Sequence, residues 1–224
     1  MDTNQNQKLG SGSCIDDLLG GGIDTGTITQ IYGESGTGKT SLCLMLAYRT
    51  ALNGGKVVYM DTEGLSGERI EQIFKNRSAL DNVFVYDIYD FKQQSSVIKN
   101  ISKVCEKESI QLIIVDCFTS LYRSELEDDS KQVKMKRELT FQLTYLLGLA
   151  RKHELAVVIT NQMFTDIKNG FNKPLGGTSI DHLSKIIIGI QRINKKRRAV
   201  LMKHRSHAEG ENCIFKITDA GIDS

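Results

Sequence analysis

The sequence predicts an α/β fold: a mostly parallel sheet flanked by helices, ending in a C-terminal antiparallel β extension. Three observations carry that reading. Short apolar, β-branched segments alternate with segments of helical spacing from residue 27 to about residue 160, the pattern of repeated βα units. The stretch IQLIIVD (110–116) is almost continuously apolar, as a strand buried on both faces requires. Beyond residue 184 strand-like runs follow one another without helical segments between them, which implies antiparallel pairing.

The elements follow in order. TITQIYG (27–33) is short and β-branched. KTSLCLMLAYRTALN (39–53) is helical, and Gly54-Gly55 stops it. KVVYMD (56–61) is a strand, GERIEQIFKNR (67–77) a helix, NVFVYDIY (82–89) a strand and FKQQSSVIKNISKVCEKE (91–108) a helix. After the buried strand 110–116, the charged stretch RSELEDDSKQVKMKRE (123–138) leads into a helix. Its apolar face is Leu139, Leu143, Leu146, Leu147 and Ala150, at helical spacing. LAVVIT (155–160) is the next strand. SKIIIGIQRI (184–193) and RRAVLMKHR (197–205) form a hairpin turning near Asn194-Lys195, and CIFKIT (213–218) is a last strand. Between them ITNQMFTDIKNGFNKPLGG (159–177) leaves an apolar run as a long polar loop containing the chain's only proline, Pro174. Such long loops are often functional. No repeat or linker interrupts the series, so residues 1–224 are expected to form one domain, with 1–8 disordered.

Composition narrows the function classes. No run approaches eighteen apolar residues, so no membrane span is expected. The polar N-terminus has no apolar signal core, and the five cysteines are scattered without metal-ligand spacing. Both features point to reduced thiols in a cytoplasmic protein. Residues 1–129 carry 12 Lys+Arg against 19 Asp+Glu, and residues 130–224 carry 17 against 8, so the halves differ as −7 and +9. A basic half is suited to a polyanion, unless folding intermixes the charges.

GESGTGKT (33–40) fits G-x-x-x-x-G-K-[ST] and lies between a predicted strand and a predicted helix. Gly33, Gly36 and Gly38 let backbone amides curl around phosphate oxygens. Glu34, Ser35, Thr37 and Ser41 complete the nucleotide-contacting stretch. Lys39 reaches the outer phosphates, and the Thr40 hydroxyl is suited to Mg2+. Asp116, at the end of the buried strand, is the second candidate for the metal. Hydrolysis also needs a carboxylate to orient or deprotonate water. Glu63, in MDTEG (60–64), is the candidate, with Asp61 competing.

These motifs together resemble the RecA/RadA recombinase family. GSGSCIDDLLGGGIDTGTITQIYGESGTGKTSL, VVYMDTEG, LIIVDCFTSLYRSEL, LAVVITNQ and PLGGTSIDHLSKIIIGIQRI follow in the family's order over about residues 9–222. Among its branches the chain is most similar to the short archaeal RadB type. The resemblance implies a RecA-like P-loop NTPase core using ATP and Mg2+. Glu63 matches the catalytic glutamate. Gln162 matches the glutamine that senses the γ-phosphate and passes its state to the second DNA-binding loop, here Met163 to about Gly177. The first DNA-binding loop corresponds to about Arg123–Arg137. Arg69 corresponds to the arginine that packs on adenine, at a spacing from Glu63 one residue shorter. A Lys-x-Arg pair, Lys203 and Arg205, resembles the trans-acting finger of KaiC-like and hexameric-helicase relatives.

The departures shape the functional expectation. Only about eight residues precede the core, without the family's N-terminal DNA-binding domain or aromatic polymerisation motif, and the first loop carries the acidic run 125–129. Autonomous strand exchange is therefore not expected. The expectation is a weak ATPase that binds DNA, single-stranded by preference, as an accessory of homologous recombination. Its partners are a RadA-type recombinase and other recombination proteins such as a Holliday-junction resolvase, with homo-oligomers and a nucleoid location. The alternative is a KaiC-like regulatory ATPase acting through proteins without DNA. Candidate DNA contacts are Arg123, Lys131, Lys134 and Arg137, with Lys168, Phe171 and Lys173 in the long loop, where Phe171 either stacks on a base or anchors the loop. KKRR (195–198) is a basic cluster at the hairpin turn, solvated or DNA-facing.

Overall fold

The computed structural model describes residues 7–125, 132–165 and 172–223. A short antiparallel pair opens the chain, β1 (Lys8–Leu9) and β2 (Ile23–Asp24), with α1 (Cys14–Leu18) between them. Then follow β3 (Ile28–Gly33), α2 (Lys39–Leu52), β4 (Lys56–Asp61), α3 (Gly67–Ile73) and a 3-10 turn (Arg77–Asn82). The series continues with β5 (Val83–Asp87), α4 (Phe91–Lys107), β6 (Ile110–Asp116), α5 (Ser120–Ser124), α6 (Gln132–His153) and β7 (Ala156–Asn161). Next come β8 (Met163–Thr165), β9 (Asn172–Pro174), α7 (Thr178–Leu183), β10 (Ile186–Ile193), β11 (Lys196–Lys203), β12 (Asn212–Thr218) and β13 (Gly221–Asp223).

Among the described residues, nine strands form the main sheet in the order β13-β12-β11-β10-β3-β7-β6-β4-β5. From β10 to β5 the neighbours are parallel, and from β10 to β13 they are antiparallel. The parallel part works because helices cover both faces. Strand alternation divides the buried side chains between two cores. Ile31, Val57, Leu112, Ile114 and Val158 pack with α2 on one side. Ile113, Val115, Val157 and Ile159 pack with α4 and α6 on the other. The predicted face of α6 is the buried one: Leu139, Leu143, Leu146, Leu147 and Ala150 all lie in the second core.

Parallel alignment brings the C-terminal ends of β3, β4, β6 and β7 to one sheet edge. Gly33, Asp61, Asp116 and Asn161 end these strands there. This edge is where the motif residues converge.

Several elements differ from expectation. Lys8, placed in a disordered terminus, pairs with Asp24 in the β1–β2 ladder. The helix expected over 67–77 ends at Ile73, where Phe74 turns into the core. Asn76 then accepts from the Ser78 amide at 3.1 Å and starts a separate 3-10 turn, the local competition that asparagine offers a helix. The long loop is structured at its feet, because β8 and β9 pair antiparallel through Met163↔Pro174 and Thr165↔Asn172. Strand β11 ends at Lys203, so Arg205 lies beyond it and does not share a strand face with Lys203. No helix among the described residues is long and apolar enough to cross a membrane.

Candidate nucleotide site and its link to the DNA loops

The phosphate loop leaves β3 and enters α2 through Gly38, whose φ of 99° is left-handed backbone that glycine adopts without strain. No side chain caps the N-terminus of α2, so its first amides remain available to an anion. The Lys39 ammonium is buried and donates to the Gly33 and Glu34 carbonyls at 2.9 and 3.0 Å. Thr37 donates its hydroxyl to the Glu34 carbonyl at 2.8 Å. Thr40 is the second residue of α2. This donor set fits a polyphosphate: open amides, a helix dipole and one movable ammonium.

Asp116 ends β6 and is 3% exposed. Its oxygens accept from the Tyr59 hydroxyl at 2.9 Å and the Thr160 hydroxyl at 2.6 Å. These neutral donors orient the carboxylate without cancelling its charge, which suits a site for a divalent cation. Burial first, then the charge of Asp116, pushes the Tyr59 phenol well up, so it remains a proton donor. Sequence reasoning missed Tyr59 and Thr160. Their signal was a polar tip in an otherwise apolar strand, which by itself names no partner.

The two competing carboxylates after β4 have separate places. Asp61 is buried and accepts the amides of Glu63, Gly64 and Leu65 at 3.1, 3.0 and 2.5 Å. It closes the turn. Glu63 is exposed and accepts from Gln162 Nε2 at 2.5 Å. Thr62 ties the turn down, donating its hydroxyl to the Cys117 carbonyl at 2.8 Å and its amide to the Asp116 carbonyl at 2.9 Å. A 490 Å3 cleft beside Glu63 opens toward the β5 edge, between Asp87, Tyr89 and Ile70 rather than over the phosphate loop.

Gln162 is the junction. While its side-chain Nε2 donates to Glu63, its side-chain Oε1 accepts from Arg123 Nη1 at 3.2 Å. Arg123 lies in the last turn of α5, at the start of the first predicted DNA loop. The second loop is tied to the same point. The Leu175 amide donates to the Gln162 carbonyl at 3.0 Å, and Asn161 Nδ2 donates to the Leu175 carbonyl at 2.7 Å. The Thr119 hydroxyl donates to Asn161 Oδ1 at 2.5 Å. Glu63, Gln162, Arg123 and both loop feet thus form one hydrogen-bonded chain.

The remaining candidates are more scattered. Arg69 Nη2 donates to Ser41 Oγ at 2.9 Å and Nη1 to the Thr218 carbonyl at 2.8 Å. Its guanidinium is held between α2 and the β12–β13 turn. Lys134 and Arg137 are exposed on α6. Lys131, Lys168 and Phe171 lie outside the described residues, and only the backbone of Lys173 is described. Lys203 Nζ donates to the Asp181 and Ser184 carbonyls at 2.6 and 2.8 Å, and Arg205 pairs with Asp24 at 3.2 Å. Both members of the expected finger are therefore engaged within their own chain. Two arginines approach the phosphate loop from the β10–β11 hairpin: Arg192, which the sequence reading did not single out, donates to the Ser35 carbonyl, and Arg197, from the basic cluster 195–198, donates to that of Gly36.

Comparison with known proteins shows the family. The Rad51 family model matches residues 5–224. The DNA repair and recombination protein RadB of Archaeoglobus fulgidus is 60% identical over 220 residues, covering 98% of this chain and 99% of that protein. RadB of Methanococcoides burtonii is 42% identical, over 99% of this chain and 100% of that one. A crystal structure of the RadB recombinase aligns with a TM-score of 0.81 and 35% identity, covering 96% of this chain and 98% of that chain. The chain belongs to the Rad51 family, in its RadB branch.

Proposed function

We propose that this chain is an ATP- and DNA-binding accessory protein of homologous recombination and DNA repair, with weak Mg2+-dependent ATPase activity, acting beside a RadA-type recombinase. The relatives' names as DNA repair and recombination proteins support the setting. The hydrogen-bonded chain from Glu63 through Gln162 to Arg123 carries the mechanism.

Residues 33–40 would hold the phosphates of ATP, with Ser41 and Arg69 on the side of the base. Lys39 turns from its loop carbonyls to the outer phosphates. Thr40 and Asp116 would hold Mg2+, which would shield phosphate charge. Glu63 takes the proton of the attacking water. A γ-phosphate offers Gln162 a new acceptor, and losing its bond to Glu63 also disturbs its bond to Arg123. The DNA loops thereby receive the state of the nucleotide. Arg123, Lys131, Lys134, Arg137, Lys168, Phe171 and Lys173 are the proposed DNA contacts. Lys203 and Arg205 must leave Asp181, Ser184 and Asp24 before either reaches a neighbouring subunit.

The test is single-stranded DNA affinity across a salt series, with and without a non-hydrolysable ATP analogue, together with solution mass in both states. Binding that weakens with salt and changes with the analogue supports the proposal. No binding at low salt in either state refutes it and leaves a KaiC-like regulatory ATPase working through protein partners.

A further inference from the structure

We propose that Arg192 and Arg197, on opposite arms of the β10–β11 hairpin, are positioning residues for the phosphate loop: by holding the Ser35 and Gly36 carbonyls they aim the next two backbone amides at the nucleotide. This rests on the ATP-site reading above.

The sheet brings the hairpin to the loop. Strand β10 lies parallel to β3, with Ile190 beside Gly33. Arg192 is two residues further on, level with the loop as it leaves the strand. Arg197 is the cross-strand partner of Arg192. Two guanidiniums directly opposite each other on neighbouring strands repel, so the arrangement needs acceptors. The loop supplies them: Arg192 Nη2 donates to the Ser35 carbonyl at 2.8 Å, and Arg197 donates to the Gly36 carbonyl through Nε at 3.3 Å and Nη2 at 3.1 Å. Gly36 has φ of 70°, and a Cβ there would stand 2.6 Å from Arg192 Nη2. A side chain at position 36 would therefore displace the arginine.

Peptide planarity turns these contacts into a statement about donors. In a trans peptide the carbonyl and the following N–H point in opposite directions. Holding the Ser35 carbonyl toward the hairpin points the Gly36 N–H away from it. Holding the Gly36 carbonyl does the same for the Thr37 N–H. Those amides belong to the cradle. Four successive carbonyls, 33 to 36, thus have donors, two of them from Lys39. Lys39 must release its pair to meet a phosphate. The hairpin arginines need not, so they keep the loop shaped while the nucleotide is bound. Prepaid ordering of this kind appears as affinity.

The experiment uses the full chain, comparing wild type with Arg192→Ala, Arg197→Ala, the double variant, and the Arg192→Gln and Arg197→Gln variants, which keep an amide donor without charge. Kd for Mg·ATP and Mg·ADP is measured beside the melting temperature without nucleotide. The double variant is expected to bind both nucleotides about tenfold or more weakly while melting like wild type, because the hydrogen bonds lost are those to the loop and one from Arg197 to the carbonyl of the adjoining Lys196. Each glutamine variant is expected to recover part of the loss. A double variant that melts normally and binds normally overturns the inference. If the double variant melts early, the single variants that melt like wild type decide, and unchanged Kd in those overturns it. Wild type failing to bind either nucleotide would instead overturn the ATP-site reading itself.

Discussion

At the scale of single residues, Lys39 shows how a proposed binding group is stored. Its ammonium is buried and satisfied by two carbonyls of its own loop; a phosphate exchanges those partners instead of desolvating a free charge. Lys39→Ala is expected to abolish detectable Mg·ATP binding by titration calorimetry, and tight binding by that variant would refute the site. Glu63 and Asp61 are two residues apart and separate cleanly by environment. Glu63→Gln is expected to lower the hydrolysis rate by about 10²–10⁴-fold with Kd for ATP retained. Asp61→Ala removes a buried carboxylate that accepts three amides and is expected to cost about 3 kcal/mol in denaturant melts. Glu63 was legible as a candidate because it follows a strand and matches a motif. Asp61 was read as its competitor because a sequence does not show which carboxylate folds back on its own turn.

At the scale of elements, the spacing on α6 was enough. Its leucines repeat at helical intervals, and the same face fills the second core. Leu146→Ala is expected to destabilise the protein by about 3 kcal/mol, as truncation of a fully buried leucine does, measured by chemical denaturation. The short elements were not legible. The strands β1, β2, β8, β9 and β13 have two or three residues each, too few for a period to register. The long loop was read as lacking structure because its paired feet are shorter than any pattern. Those feet tie Asn161 and Gln162 to Leu175, the connection through which the proposed sensor would act on the loop. Gln162→Ala is expected to keep nucleotide affinity and remove the effect of ATP on DNA affinity. An unchanged ATP effect in that variant means the signal takes another route.

At the scale of the whole molecule, the −7 and +9 halves belong to one sheet. The chain boundary between them is not a surface boundary, and some basic side chains are spent inside the fold. Lys203 and Arg205 serve Asp181, Ser184 and Asp24, while Arg192 and Arg197 serve the phosphate loop. The slope of log affinity for single-stranded DNA against log salt is therefore expected to be shallower than the count of basic residues after 129 would suggest, since each phosphate contact contributes roughly 0.7 to it. A slope near that full count would show that these arginines and lysines leave their internal partners on DNA.

The sequence by itself determined the order of the longer strands and helices, the phosphate-loop motif, the buried strand ending in Asp116, and the family. Each is written in contiguous residues or in a local period. Only the tertiary structure decided which side chains share an atom's neighbourhood. Tyr59 and Thr160 meet on Asp116, Gln162 bridges Glu63 and Arg123, and Arg192 and Arg197 close on a loop more than 150 residues earlier. The physical reason is the parallel sheet. It brings strand ends that are distant in the chain to one edge, and the chain order of residues carries no signal for which neighbours that edge will join.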